Sequence, residues 1–174
     1  MMDKSAVCRV FSKAAAQYDS LALFQRRINE RMLCLLPEHM PAGFHPASIL
    51  DAGCGTGLGI QCMKTFWPEV GMIGCDLSPE MVDAARRKQL DAIIGDIEDL
   101  PFASASFNLV WTSLSLQWCP PVQAFKELFR VISPGGMLFF STLAPGTLKE
   151  ISHAFSGFDS CRQPVKTGWG NGAE

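Results

Sequence analysis

Strand-length apolar runs alternate with helix-length amphipathic segments along most of this 174-residue chain. That order predicts an α/β fold, a parallel sheet with helices on both faces. Two further observations point the same way. The apolar runs are continuous rather than alternating, as in strands buried on both sides. The first of them ends in a glycine-rich turn, "DAGCGTG", which lets backbone approach a ligand closely.

The elements follow in order. Residues 20–36 place Leu21, Phe24, Ile28, Met32 and Leu35 near one helical face, with Arg26, Arg27 and Glu30 elsewhere. Pro37 and Pro41 are expected to end that helix. A strand over 48–52 delivers the glycine turn, and a helix over 58–67 stops before Pro68. Residues 70–76 form the second strand. Ser78 as N-cap, Pro79 at the first helical position and Glu80 in the first turn then open a helix that ends in basic residues. The third and fourth strands are read over 91–96 and 107–114. Val122, Phe125, Leu128, Phe129 and Ile132 stripe a helix over 121–133, "SPGG" breaks it, and 137–143 is the fifth strand. The chain divides into a helical cover segment, 1–45, an α/β core, 46–160, and a polar tail, 161–174, expected to be disordered.

Bulk composition excludes several classes. With 48% hydrophobic residues the chain buries a core rather than remaining disordered. A net charge of -2 gives no attraction to nucleic acid or to an anionic membrane. No apolar run approaches the roughly 20 residues that cross a bilayer, and the opening residues lack a secretory signal, so a cytoplasmic location is expected. Seven cysteines, at 8, 34, 54, 62, 75, 119 and 161, are odd in number and show no Cys-x-x-Cys pair. They read as reduced thiols rather than a disulfide frame or a metal site.

The glycine turn narrows the ligand. A phosphate loop of the nucleoside triphosphate type needs a lysine that is absent here. The dinucleotide fingerprint needs a third glycine; counting from Gly53, Gly55 or Gly57, that position holds Leu58, Ile60 or Cys62. The pattern present is Asp51-x-Gly53-x-Gly55-x-Gly57, with Cys54 inside it. It resembles motif I of the class I S-adenosylmethionine-dependent methyltransferases. The resemblance implies their Rossmann-like fold and S-adenosyl-L-methionine as cofactor. That molecule has no phosphates but carries a sulfonium and an amino group, which a carboxylate beside the turn suits. It further implies that Asp76 accepts from the ribose hydroxyls with Leu77 packed on adenine. Asp96, in "GDIEDLPF", would accept from the adenine amino group with Ile97 near the ring. Ser113 and Leu114 would lie at the methionine end. Taken singly, Asp76 also reads as a turn cap and Asp96 as a solvated loop residue. Four matches in order, each at a strand end, favour the cofactor.

Outside the cofactor motifs, "VFSKAAAQYDSLALFQRR", "GDIEDLPFASASFNLVWTSLSLQWC" and "ELFRVISPGGMLFFSTLAPGTLKE" look like the malonyl-[acyl-carrier-protein] O-methyltransferases of biotin synthesis. The resemblance covers about residues 7–158. It implies methyl transfer to the free carboxylate of a malonyl thioester, malonyl-acyl-carrier protein or malonyl-CoA, giving the ester that starts pimeloyl synthesis. An acceptor carboxylate is already ionised at neutral pH, so no general base is needed. Tyr18 and Trp118 are the candidate catalytic residues. The first would hydrogen-bond the acceptor carboxylate and the second would wall the pocket; the alternatives are a helix-boundary contact and core packing. Gln25 and Arg26 match the family's "LQR" stretch, and Cys119 reads as a buried thiol rather than a nucleophile. Two departures stand out. Pro120 and Pro121 replace polar residues, and the family continues well beyond residue 160. The expectation is therefore a sheet that stops after strand five, with 137–143 an exposed edge. The alternative functions are another small-molecule, quinone-type methyltransferase, or a truncated product without activity.

Overall fold

The computed structural model describes residues 3–144 and Gly146, so the tail over 161–174 lies outside the described residues. Five strands form one parallel sheet: β1 (Ser48–Ala52), β2 (Gly71–Asp76), β3 (Ala92–Ile94), β4 (Phe107–Ser113) and β5 (Ile132–Ser141). Their order is β3-β2-β1-β4-β5. Helices α1 (Lys4–Ala14), α2 (Tyr18–Leu21) and α3 (Leu23–His39) precede the sheet, and α4 (Leu58–Phe66), α5 (Pro79–Arg87) and α6 (Pro121–Val131) fill crossovers. The α/β expectation holds.

Strand periodicity divides the core. Ile49, Leu109 and Trp111 face α3, α4 and α5, packing with Met32, Leu36, Ile60, Met63 and Val82. Their neighbours Leu50 and Val110 face the other way, onto Leu116, Leu128 and Val131. Both faces of β1 and β4 are thus buried, which is why the sequence runs apolar without alternation. Each such side chain contributes about 1.5–3 kcal/mol when fully buried. The Trp111 indole is satisfied within this core: its Nε1–H donates to Asn29 Oδ1 at 3.1 Å, and Asn29 Nδ2 donates to the Gln25 carbonyl at 2.9 Å.

The third strand is shorter than the 91–96 of the sequence reading, and two boundaries differ in kind. The helix over 20–36 is split at Ala22 (ψ 33°), and α3 then continues through Pro37 to His39. A proline in the last turn removes one N–H, yet the Met40 N–H still reaches the Leu36 carbonyl at 3.0 Å, so the turn closes. Likewise "SPGG" does not separate α6 from the last strand. Ile132 already pairs with Phe107, and the ladder resumes with Met137 opposite Leu109, leaving 133–136 as a bulge. Pro134 has no N–H to give and Gly135 takes φ 76°, so these residues leave the ladder without ending it.

The connection after β1 goes to one side and β4 lies on the other, so a crevice opens at the carboxyl ends of β1 and β4. No helix among the described residues is long and apolar enough to cross a membrane.

Candidate active site

That crevice holds two cavities with four lining residues in common: Tyr18, Gly53, Gly55 and Ser113. The larger has about 740 Å³ of empty space, counting the solvent in its open mouth. It runs past Leu77, Asp96, Ile97 and Trp118; the smaller runs back to Asp51 beneath α4.

The turn between β1 and α4 forms the floor. The N–H groups of Gly53 and Cys54 both donate to the Cys75 carbonyl, at 2.7 and 3.1 Å. Gly55, at φ 53°, donates its N–H to Asp76 Oδ2 at 2.8 Å. A Cβ there would meet nothing nearer than Tyr18 Cε1 at 4.0 Å, so it would fill the space under the phenol. Gly57 lines neither cavity. It starts α4 at φ 86°, and any Cβ would run into Leu90 Cδ1. The left-handed backbone and the Leu90 contact both favour glycine here, at a position the sequence reading expected to touch cofactor. Cys54 faces only the smaller cavity. Its Sγ fills the space over Gly74, and burial pushes its thiol well above the usual range.

Three acids at strand ends converge on the crevice. Asp76 Oδ1 accepts from the Ser78 N–H at 2.9 Å and Oδ2 from the Gly55 N–H. Burial raises its pKa, and these N–H groups offset part of the rise. Each oxygen keeps a lone pair for a further donor. Asp51 is only 2% exposed, and its Oδ2 has no partner among the described residues. Burial, then the charge of Asp76, push its pKa up to about 7 against a weaker pull from the Ile60 N–H. Asp96 Oδ1 accepts from the Glu98 N–H at 2.9 Å, while Oδ2 pairs with Lys4 Nζ at 2.5 Å. Lys4 also reaches Glu98, at 2.8 Å. The sequence reading missed Lys4, because nothing local tells which acid a terminal lysine meets 92 residues away.

The cover comes from the leading helices. On α1, Ser12 bonds Glu80 and lies 3.0 Å from the Ser78 hydroxyl, and Cys8 Sγ donates to the Leu77 carbonyl at 3.5 Å. Phe11 meets Trp118 edge-on at 5.7 Å and leans on Tyr18 at 6.3 Å. The two candidate catalytic residues therefore share one aromatic wall. Burial, then Asp76, raise the Tyr18 pKa, so its hydroxyl stays protonated and able to donate at neutral pH. Beside it, Asp19 binds Thr56 and Lys88, a contact set the sequence reading did not foresee.

Ser113 Oγ pairs with Ser141 Oγ at 3.2 Å. Leu114 takes φ 54°, a conformation that costs a branched residue roughly 1–3 kcal/mol. Beyond it, Ser115 Oγ donates to the Gly53 carbonyl at 3.2 Å. Ser115 was also missed; its signal lies in the "TSLSLQW" stretch, two residues past Ser113. Burial, then Glu98 and Asp96, push the Cys119 thiol up to about 12, which suits a buried thiol and not a nucleophile. Gln25 lines the smaller cavity, whereas Arg26 is exposed on α3.

Two carboxyls held above their usual range, one with a bare oxygen, give the crevice an unmet demand for positive charge. A ligand carrying a positive charge would answer it. The methyltransferase-domain profile matches residues 50–140, from β1 into β5. The chain belongs to that family. A malonyl-[acyl-carrier protein] O-methyltransferase from Herminiimonas arsenicoxydans is 46% identical over 162 residues, 93% of this chain and 60% of that protein. One from Laribacter hongkongensis is 41% identical over 171 residues, 90% of this chain and 57% of that protein. This chain thus spans about three-fifths of the length of these relatives. An S-adenosylmethionine-dependent methyltransferase structure from Thermotoga maritima superposes with a TM-score of 0.62 at 23% identity, covering 76% of this chain and 60% of that one. This likeness shows the fold.

S-adenosylmethionine, the methyl donor of the class I fold, fits this methyltransferase crevice on its own chemistry. The orphaned Asp51 Oδ2 suits a cationic end, and the space a Gly55 Cβ would fill admits a close ligand.

Proposed function

We propose that this methyltransferase binds S-adenosylmethionine and methylates the free carboxylate of a malonyl thioester, carried on acyl-carrier protein or coenzyme A, in the cytoplasm. In this reading residues 1–45 are the cover and 46–160 the cofactor-binding core. The bound cofactor supplies a methyl group made electrophilic by its sulfonium. The protein's own groups do the rest. Asp51 balances the positive charge, Gly53, Cys54 and Gly55 shape the floor, and Ser113 borders the methionine end. Asp76 accepts sugar hydroxyls with its remaining lone pairs. Asp96 would offer one lone pair to the adenine amino group, and Leu77 and Ile97 would give the ring apolar contact.

Tyr18 donates its hydroxyl to the acceptor carboxylate and fixes its approach, while Trp118 and Phe11 keep water out. Orienting an ionised nucleophile toward a reactive methyl requires positioning and dehydration more than proton transfer. Among the described residues the cavity linings contain no histidine, and the Cys119 thiol is protonated at neutral pH.

One observation carries the choice of acceptor: the protonated Tyr18 hydroxyl belongs to a cover segment inside the region shared with malonyl-thioester relatives. An alignment over 93% of the chain leaves out about 12 residues, too few for a missing end to reach Tyr18 and α2. The test is transfer of a labelled methyl group from S-adenosylmethionine to malonyl-acyl-carrier protein and to malonyl-CoA. The expected product is an alkali-labile ester on at least one of them. Cofactor binding without label on either thioester would refute the acceptor.

A further inference from the structure

We infer that Asp19, Thr56 and Lys88 form a clamp that positions Tyr18 over the glycine turn, making Asp19 and Lys88 positioning residues of the reaction. The role of Tyr18 in this statement rests on the proposed methyl transfer; the clamp itself does not.

Helix α2, which begins with Tyr18, has little of its own to anchor it beyond the Ser20 hydroxyl on the Gln17 carbonyl. It is four residues long, buries no side chain, has no side-chain cap, and leaves Leu21 75% exposed. One turn of helix is unstable alone, so its place is set by external contacts. Beside the Phe11 ring that leans on Tyr18, Asp19 supplies the polar ones. Its Oδ1 accepts from the Thr56 hydroxyl at 2.5 Å, and its Oδ2 pairs with Lys88 Nζ at 2.6 Å. Lys88 closes the triangle by donating to the Thr56 carbonyl at 2.9 Å.

Three separate elements meet there: the cover, the glycine turn and the end of α5. Thr56 is buried between Gly55 and Gly57, so the clamp grips the same turn that lines the crevice. Burial opposes ionisation of Asp19, but the bonds from Lys88 and Thr56 outweigh it and hold the carboxyl below its usual range. Asp19 and Lys88 line neither cavity, and Thr56 lines only the smaller one. They act through Tyr18.

Tyr18 is the only tyrosine, so phenolate ultraviolet absorbance reports its state alone. The charged and polar groups that shift it are Asp76 from β2, Asp19 from α2 and Gln25 from α3. In Lys88→Met the two candidate effects have opposite signs. Removing a nearby cation would by itself push the phenol midpoint up, whereas release of Tyr18 into solvent drops it toward the ordinary value of about 10. The clamp predicts the drop. Thr56→Val, which changes no charge, is expected to move the midpoint the same way, and Lys88→Arg to restore the parent midpoint.

In methyl-transfer assays Lys88→Met is expected to lose about tenfold or more in kcat, with the cofactor dissociation constant moved far less. A phenol midpoint that rises or stays in both Lys88→Met and Thr56→Val would overturn the clamp. If the midpoint drops but the parent methylates no malonyl thioester, the clamp stands and the acceptor assignment alone falls.

Discussion

Replacing Asp51 with asparagine separates the cost of this crevice from its use. Asp51 is held near a pKa of about 7, against 3.8 in an open chain. At 1.36 kcal/mol per unit, ionising it inside the fold forfeits about 4 kcal/mol. The sign follows from proton binding. Between pH 4 and 7 the folded chain holds a proton that the unfolded chain has lost. This group's contribution is therefore complete below about pH 4 and disappears as pH rises through about 7. In Asp51→Asn the side chain cannot ionise. Its buried amide lacks an acceptor where Oδ2 stood alone, costing about 1–3 kcal/mol. The net expectation is a ligand-free variant about 1–3 kcal/mol more stable than the parent at pH 8, with no advantage at pH 4. Urea unfolding of both proteins across that range gives the difference directly, since other titrating groups largely cancel. With S-adenosylmethionine at 100 times its dissociation constant the parent gains about 2.7 kcal/mol. The variant gains less at the same concentration, because the counter-ion to the cation is gone. A stability difference independent of pH would refute the buried-charge argument. Unchanged cofactor affinity would refute the counter-ion role.

Other substitutions address the remaining contacts. Asp76→Ala removes the acceptor for the Gly55 and Ser78 N–H groups and, in the proposed reading, for the sugar as well. S-adenosylmethionine binding should weaken by about 1.5–3 kcal/mol in calorimetry, and an undiminished affinity would mean the ribose sits elsewhere. Tyr18→Phe is expected to lower kcat for malonyl-thioester methylation while the cofactor dissociation constant holds; full turnover would remove the hydroxyl from the reaction. Glu127, on α6, accepts the Leu100 N–H at 2.9 Å and pairs with Arg130, which in turn donates to the Leu100 and Phe102 carbonyls. Glu127→Ala leaves that buried N–H unpaired and should cost about 1–3 kcal/mol in denaturant unfolding without changing cofactor contacts.

The cofactor crevice was legible in the chain because its parts are local. A glycine run behind a strand, and single acids at the ends of the next strands, are fixed by covalent order and strand direction. The sheet then brings those ends together whatever the rest does. Gly57 shows the limit even there. The sequence marks it as one more glycine of the motif, whereas the folded chain shows a left-handed backbone at φ 86° and the distant Leu90 side chain that a Cβ would meet. The same holds for "SPGG", where β4 supplies a partner that keeps the strand going past a local breaker.

The order of apolar runs, the turn chemistry and the acids at strand ends determined the α/β class, the crevice and the kind of ligand. They act over a few residues, where backbone geometry leaves little choice. The tertiary structure alone decided what covers that crevice. Lys4 finds Asp96, Asp19 finds Lys88 and Thr56, and Phe11 joins Tyr18 to Trp118. Polar and aromatic side chains on a short surface helix accept many partners of equal chemistry. Which of them each one meets depends on where the packed sheet and helices set the chain.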